Sequence, residues 1–141
     1  MLIVMFEVAG IPRGKGRPRF ARRGNFVKTY TDSKTADYET KIKEAATRAM
    51  GSSEPLETPV SVYLYARMPI PASTSKKAKK AMISGEIRPT KKPDIDNIAK
   101  AFLDSFNKII YLDDTQVISL HCTKVYSVEP GVNVMIREEV L

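Results

Sequence analysis

Hydrophobic and polar positions alternate along this chain in two distinct periods, and the periods change at short, turn-forming breaks. Leu2 to Ala9 is apolar, rich in β-branched residues and closed by Gly10 and Pro12, which predicts a strand. Gly14, Gly16 and Pro18 argue against a helix in the next stretch, and a short strand is expected at Asn25 to Tyr30. Thr31-Asp32-Ser33 offers N-cap oxygens. Tyr38, Ile42, Ala45, Ala46 and Ala49 then recur at helical spacing, predicting a helix from Lys34 to Met50 that Gly51 ends. Gly51 to Pro59 reads as a loop. Val60, Val62, Leu64 and Ala66 alternate with Ser61, Tyr63, Tyr65 and Arg67, the mark of a strand with one buried face. Ser73-Thr74-Ser75 caps a short helix that Ser84-Gly85 closes. Asp94 sits where a helix running to about Lys108 would be capped, with Ile95, Ile98, Ala99, Phe102, Leu103 and Phe106 as its apolar stripe. Val117 to Val125 predicts a strand that pairs with Val132 to Arg137 across a turn at Glu129-Pro130-Gly131.

The pattern amounts to an α+β fold, a small mixed sheet with helices packed on it. The chain's 141 residues suffice for one core, so residues 1–141 read as a single domain. Charge changes the picture more than hydrophobicity does. Lys and Arg number 23 against 16 Asp and Glu, a formal net charge of +7 that favours an acidic polymer, DNA or RNA, over an anionic membrane. No apolar run approaches the roughly 20 residues of a membrane span. Met1 to Phe6 lacks a leading positive charge and does not read as a signal peptide. The lone cysteine, Cys122, has no internal disulfide partner, consistent with a reducing cytoplasm. Arg13, Lys15, Arg17, Arg19, Arg22 and Arg23 crowd Pro12 to Arg23 without an acidic residue, a basic arm suited to phosphates; Lys76 and Lys77 open a second basic patch that runs to Lys80. Phe20 and Tyr30 beside the arm suit core packing better than base stacking. His121 and Cys122 fall mid-strand and read as structural.

Against that background, acidic residues cluster in one window. Asp94, Asp96, Asn97 and Lys100 emerge together at the start of one predicted helix, with Asp104 close beside on the same side. Asp113-Asp114 follows just before a strand, from where a carboxylate can swing back to the helix. Crowded carboxylates repel unless a cation lies among them, so the set reads as an all-oxygen site for a hard ion such as Mg²⁺ or Mn²⁺. Each residue has a plainer reading: Asp94 as an N-cap, Asp96 with Lys100 as a surface i,i+4 pair, Asp113-Asp114 as a turn.

Lys92-Pro93-Asp94-Ile95-Asp96-Asn97-Ile98-Ala99-Lys100, Phe102-Leu103-Asp104 and Leu112-Asp113-Asp114-Thr115-Gln116-Val117 together resemble the RusA family of Holliday-junction resolvases. Gly14-Lys15-Gly16-Arg17-Pro18-Arg19-Phe20 is similar to a segment of phage-type members. The resemblance implies a dimeric, Mg²⁺-dependent endodeoxyribonuclease that cuts four-way DNA junctions symmetrically. It implies that Asp94, Asp96 and Asp114 bind metal and that Lys100 contacts phosphate or stabilises charge during cleavage. Asp113 matches the neighbour of the third ligand, and Asn97 suits orienting a carboxylate or a water. The arginine-dense arm and the Lys76 to Lys80 helix depart from the enterobacterial form, so base preference does not transfer. Two other readings remain at this stage: a basic DNA-binding protein without catalysis, and a metal nuclease acting on flaps, forks or RNA.

Overall fold

Seven residues of alternating character, Ile3–Ala9, form β1, with Val4 and Val8 buried and Ile3, Met5 and Glu7 facing out. The same two-residue period drives β4 (Val60–Pro69), where Val60, Val62, Leu64, Ala66 and Met68 turn inward, and β6 (Gly131–Glu138), where Val132, Val134 and Ile136 do. With β5 (Val117–Ser127) these make a mixed sheet in the order β1-β6-β4-β5. A separate hairpin pairs β2 (Arg19–Arg23) with β3 (Phe26–Tyr30). The computed structural model describes residues 1–15, 19–24, 26–30 and 33–140, and the side chains of residues 19–21, 23, 26 and 28–30 lie outside the description.

Three helices complete the fold: α1 (Ser33–Met50), α2 (Lys76–Ser84) and α3 (Ile95–Ser105). Helix α1 buries Tyr38, Ile42, Ala45, Ala46 and Met50 at helical spacing, and α3 buries Ile98, Ala99, Ala101, Phe102 and Ser105. Both join the core that the inward face of the sheet contributes to. Phe102 centres that core, edge-on to Tyr38 at 5.9 Å and to Phe106 at 6.0 Å between ring centroids. Among the described residues no helix is long and apolar enough to cross a membrane.

The expected α+β class stands, as a single small domain with a mixed four-stranded sheet. Three expectations need correction. Strands β5 and β6 do not pair with each other: β6 lies between β1 and β4, antiparallel to both, and β5 runs parallel to β4 at the edge. The segment Val128–Pro130 crosses the end of β4, about 10 Å at ordinary strand spacing and within reach of three residues. Strand β6 sends three fully inward residues to the core and suits a central position, whereas β5 leaves Ile118 and Leu120 exposed and suits an edge. The crossover through α2 and α3 is what permits the parallel pairing. Second, α3 ends at Ser105, three residues early, because Lys108 takes a left-handed φ of 66° and its N–H turns to the Tyr111 carbonyl, 2.6 Å away. Third, part of the basic loop is the strand β2, turned back through Gly24 at φ 59°. Thr31 and Asp32, offered as caps for α1, lie outside the described residues.

Candidate active site

Everything at the site is hung on α3 and on what touches it. The approach to the helix is fixed from β5: the Lys124 ammonium donates to the Lys91 carbonyl at 2.8 Å and to the Pro93 carbonyl at 3.1 Å. Asp94 then occupies the N-cap position with extended backbone, and its carbonyl accepts from Ile98 N–H at 3.1 Å. Its carboxylate makes no capping bond and is exposed. The plain reading of Asp94 as a cap is therefore half right. The backbone does that job and the side chain stays free. Asp96 and Lys100 share a face, both exposed, yet among the described residues no ion pair joins them.

Residues 10–15 run across the first turns of this helix. Gly10 N–H donates to the Pro130 carbonyl at 3.2 Å, Pro12 is buried, and Lys15 N–H donates to the Asn97 carbonyl at 2.9 Å. Gly14 lies so close to α3 that a Cβ there would sit 2.7 Å from the Asn97 Cβ. Between the arm and the helix start opens a cleft of about 500 Å³, bordered by Arg13, Thr35, Lys92, Pro93, Asp94 and Asn97. Two exposed cations and the positive pole of α3 thus surround one uncommitted carboxylate, a setting that attracts phosphate.

Lys15 is placed differently from the other arm cations. Its ammonium lies 3.0 Å from Asp104 and 3.4 Å from Glu39 of α1. Burial, the largest single influence, works against its charge, but the two carboxylates outweigh it and its pKa is raised. Arg22 is exposed on β2. Arg17 lies outside the described residues, as do the side chains of Arg19, Phe20, Arg23 and Tyr30. Lys76 and Lys77 are exposed on α2 and do not border the cleft.

The second acidic pair divides its labour. Asp113 caps a single 3₁₀ turn (Asp114–Gln116), accepting from the Thr115 N–H at 3.3 Å and its hydroxyl at 2.7 Å, and these bonds lower its pKa. The Gln116 side chain accepts from the N–H groups of Leu112 and Asp113, both at 3.0 Å, and donates to the carbonyls of Leu56 and Thr58. Asp114 is left to point at α3. It meets Asp104 and Asn107, and its pKa is raised by burial first, then by the charge of Asp113 and by Asp104. Tyr111 supports this corner, donating its hydroxyl to the Leu103 carbonyl at 2.7 Å.

The residues expected to hold one metal ion are therefore not gathered. Asp114 sits at the C-terminal end of α3 beside Asp104, whereas Asp94 and Asp96 open the helix, about 12–15 Å away along its axis at 1.5 Å per residue. Among the described residues no three His, Cys, Asp or Glu side chains form a group able to hold a metal. The donor chemistry suits a hard cation; the arrangement in this chain alone does not. Sequence reasoning had noticed Asp104 only as a neighbour and had missed Glu39 and the Gln116 clamp. The Asp-x-x-Gln spacing of Asp113 and Gln116 is a capping-box signature and was the available signal for the last.

Comparison with known proteins agrees with this geometry at the level of family. A family model described as Endodeoxyribonuclease RusA matches residues 9–137. The chain is also similar to the uncharacterized protein YqaN of Bacillus subtilis (strain 168), 41% identical over 137 residues that cover 96% of each chain.

Proposed function

The chain belongs to the RusA family of endodeoxyribonucleases, and from that premise we propose that it hydrolyses phosphodiester bonds in branched DNA, resolving four-way junctions by paired symmetric cuts during recombination and repair. The observation that carries the reading is the free carboxylate of Asp94, held at a helix start where Arg13 and Lys92 border the same cleft. A phosphate drawn in by the cations and the helix pole comes to lie beside an oxygen ligand rather than beside a spent cap. Lys100, exposed two turns into α3, supplies a point charge along the same face. Arg13, Arg22 and the remaining arm cations hold the flanking strand.

Mg²⁺, with Mn²⁺ as substitute, belongs to this reading, with Asp94, Asp96 and Asp114 as its oxygen donors. The chain alone keeps the donors in two places, so assembly awaits the ion, the DNA or a second subunit. Two-fold symmetry of the substrate calls for two equivalent sites, which a homodimer supplies. Such work places the protein in the cytoplasm.

The test is a labelled four-way junction incubated with Mg²⁺ or with EDTA, beside flap, three-way and linear duplex controls. Paired symmetric nicks on the junction, dependent on the ion, are expected. No cutting under any divalent ion removes the enzyme and leaves a DNA-binding protein. Equal cutting of every substrate removes the resolvase.

A further inference from the structure

We propose that Asp104 is a positioning residue of the cleavage site, fixing the basic arm to the carboxylate turn through Lys15. The inference rests on the nuclease reading and adds to it a residue that touches neither metal nor phosphate. Three separate segments meet at this one side chain. Lys15 of the arm approaches it at 3.0 Å, Glu39 of α1 joins through the same ammonium at 3.4 Å, and Asp114 lies against it. Two adjacent carboxylates repel, and the Lys15 ammonium is the cation that offsets them. With Lys15 removed, Asp104 and Asp114 part. With Asp104 removed, Lys15 keeps only its longer contact to Glu39 and the arm slackens.

The same geometry changes what Lys15 is for. Its backbone N–H is bonded to Asn97 and its ammonium is held between two carboxylates, so it is engaged before DNA arrives. Arg13, one residue beyond Gly14, is exposed and borders the cleft. Lys15 therefore belongs to the frame of the site, and Arg13 to its grip. Each cation that contacts a duplex phosphate contributes roughly 0.9 to the slope of log affinity against log salt, so the two roles separate in one measurement.

The experiment compares Asp104→Asn, Lys15→Met, their double variant, Lys15→Arg and Arg13→Met. It reads single-turnover junction cleavage, the salt slope of junction binding and hydrogen exchange at the Lys15 amide. Asp104→Asn and Lys15→Met are each expected to slow cleavage about tenfold or more, with the double variant no slower than either single, as for residues acting as one unit. Lys15→Arg is expected to restore most of the rate. The slope stays at the wild-type value in Lys15→Met but falls by roughly 0.9 in Arg13→Met. Faster exchange of the Lys15 amide in both Asp104→Asn and Lys15→Met supports the fastening whether or not the wild type cuts DNA. An unchanged exchange rate, a lowered slope in Lys15→Met, or additive losses in the double variant overturn the proposal. A wild-type protein that cuts nothing sinks the nuclease reading instead, and the exchange data still decide the fastening.

Discussion

Gly14→Ala tests how much the seat of the arm on α3 matters, because the added methyl has nowhere to go. Its Cβ would meet the Asn97 Cβ at 2.7 Å, the Pro93 Cβ at 3.1 Å and the Asn97 carbonyl carbon at 3.4 Å. Asn97 is inside a helix and Pro93 is held from β5, so neither neighbour yields cheaply. Forcing a methyl into such a contact costs about 1–3 kcal/mol. What holds the arm locally is one backbone hydrogen bond, worth about 0.5–1.5 kcal/mol, and a partly exposed ion pair worth up to about 1 kcal/mol. The two sides are comparable, so the arm between Arg13 and Lys15 lifts while Pro12 stays buried and the core is untouched. Global stability should fall by no more than about 1–2 kcal/mol, a shift of a few degrees in Tm, while junction cleavage drops by an order of magnitude or more. Urea unfolding and single-turnover cleavage measure the two separately. Wild-type cleavage by a folded Gly14→Ala protein would refute the claim that the close approach organises the site.

Asp94→Asn, Asp96→Asn and Asp114→Asn are each expected to abolish cleavage while leaving junction binding within a few-fold of wild type; near-wild-type turnover in any one removes that residue from the catalytic set. Phe102→Ala should cost about 3–5 kcal/mol in urea unfolding, because the ring is fully buried between Tyr38 and Phe106, and a loss under 1 kcal/mol would contradict the packing. The Cys122 thiol is pushed up to about 11 by burial, against the opposing charge of Lys124. Its thiolate is scarce below that value, so alkylation by iodoacetamide should accelerate about tenfold per pH unit from pH 7 to 10. A rate that levels off near pH 8.5, as for a free thiol, would place the group in solvent.

The parts of the fold legible in the sequence are those where one period runs long enough to be unmistakable. Tyr38, Ile42, Ala45 and Ala46 announce α1, and Val60 to Ala66 announces β4. Sheet order was not legible, because it is decided by partners far apart in the chain. Three residues between β5 and β6 look like a hairpin link, yet β6 is flanked by β1 and β4 instead. Strand β2 was hidden for a different reason: its arginines read as a charged loop, and charge says little about backbone pairing on an exposed hairpin. At the site, the acidic motif located the right helix and the right turn. It did not fix their spacing along α3, since residues eight or more apart on one helix share a side without sharing a ligand.

The structure also separates residues that the motif lists together. Asp113 and Gln116 are consumed by backbone N–H and carbonyl groups, and Lys15 by Asp104 and Glu39. Asp94 and Asp96 keep their carboxylates free of such bonds, Asp94 in a position where capping would ordinarily claim it. Asp94 and Asp113 sit at helix starts with the same extended backbone, so local geometry does not explain why only one of them caps. The difference lies downstream: Asp113 is followed by Thr115, whose hydroxyl and N–H both reach its carboxylate, whereas Asp94 is followed by Ile95 and then a second aspartate. Placing a like charge at Asp96 gives the first turn of α3 two carboxylates where one would satisfy the helix pole. An excess of negative charge at a helix start, bordered by a cationic arm, costs stability in the isolated chain and is relieved when a cation arrives with the DNA backbone.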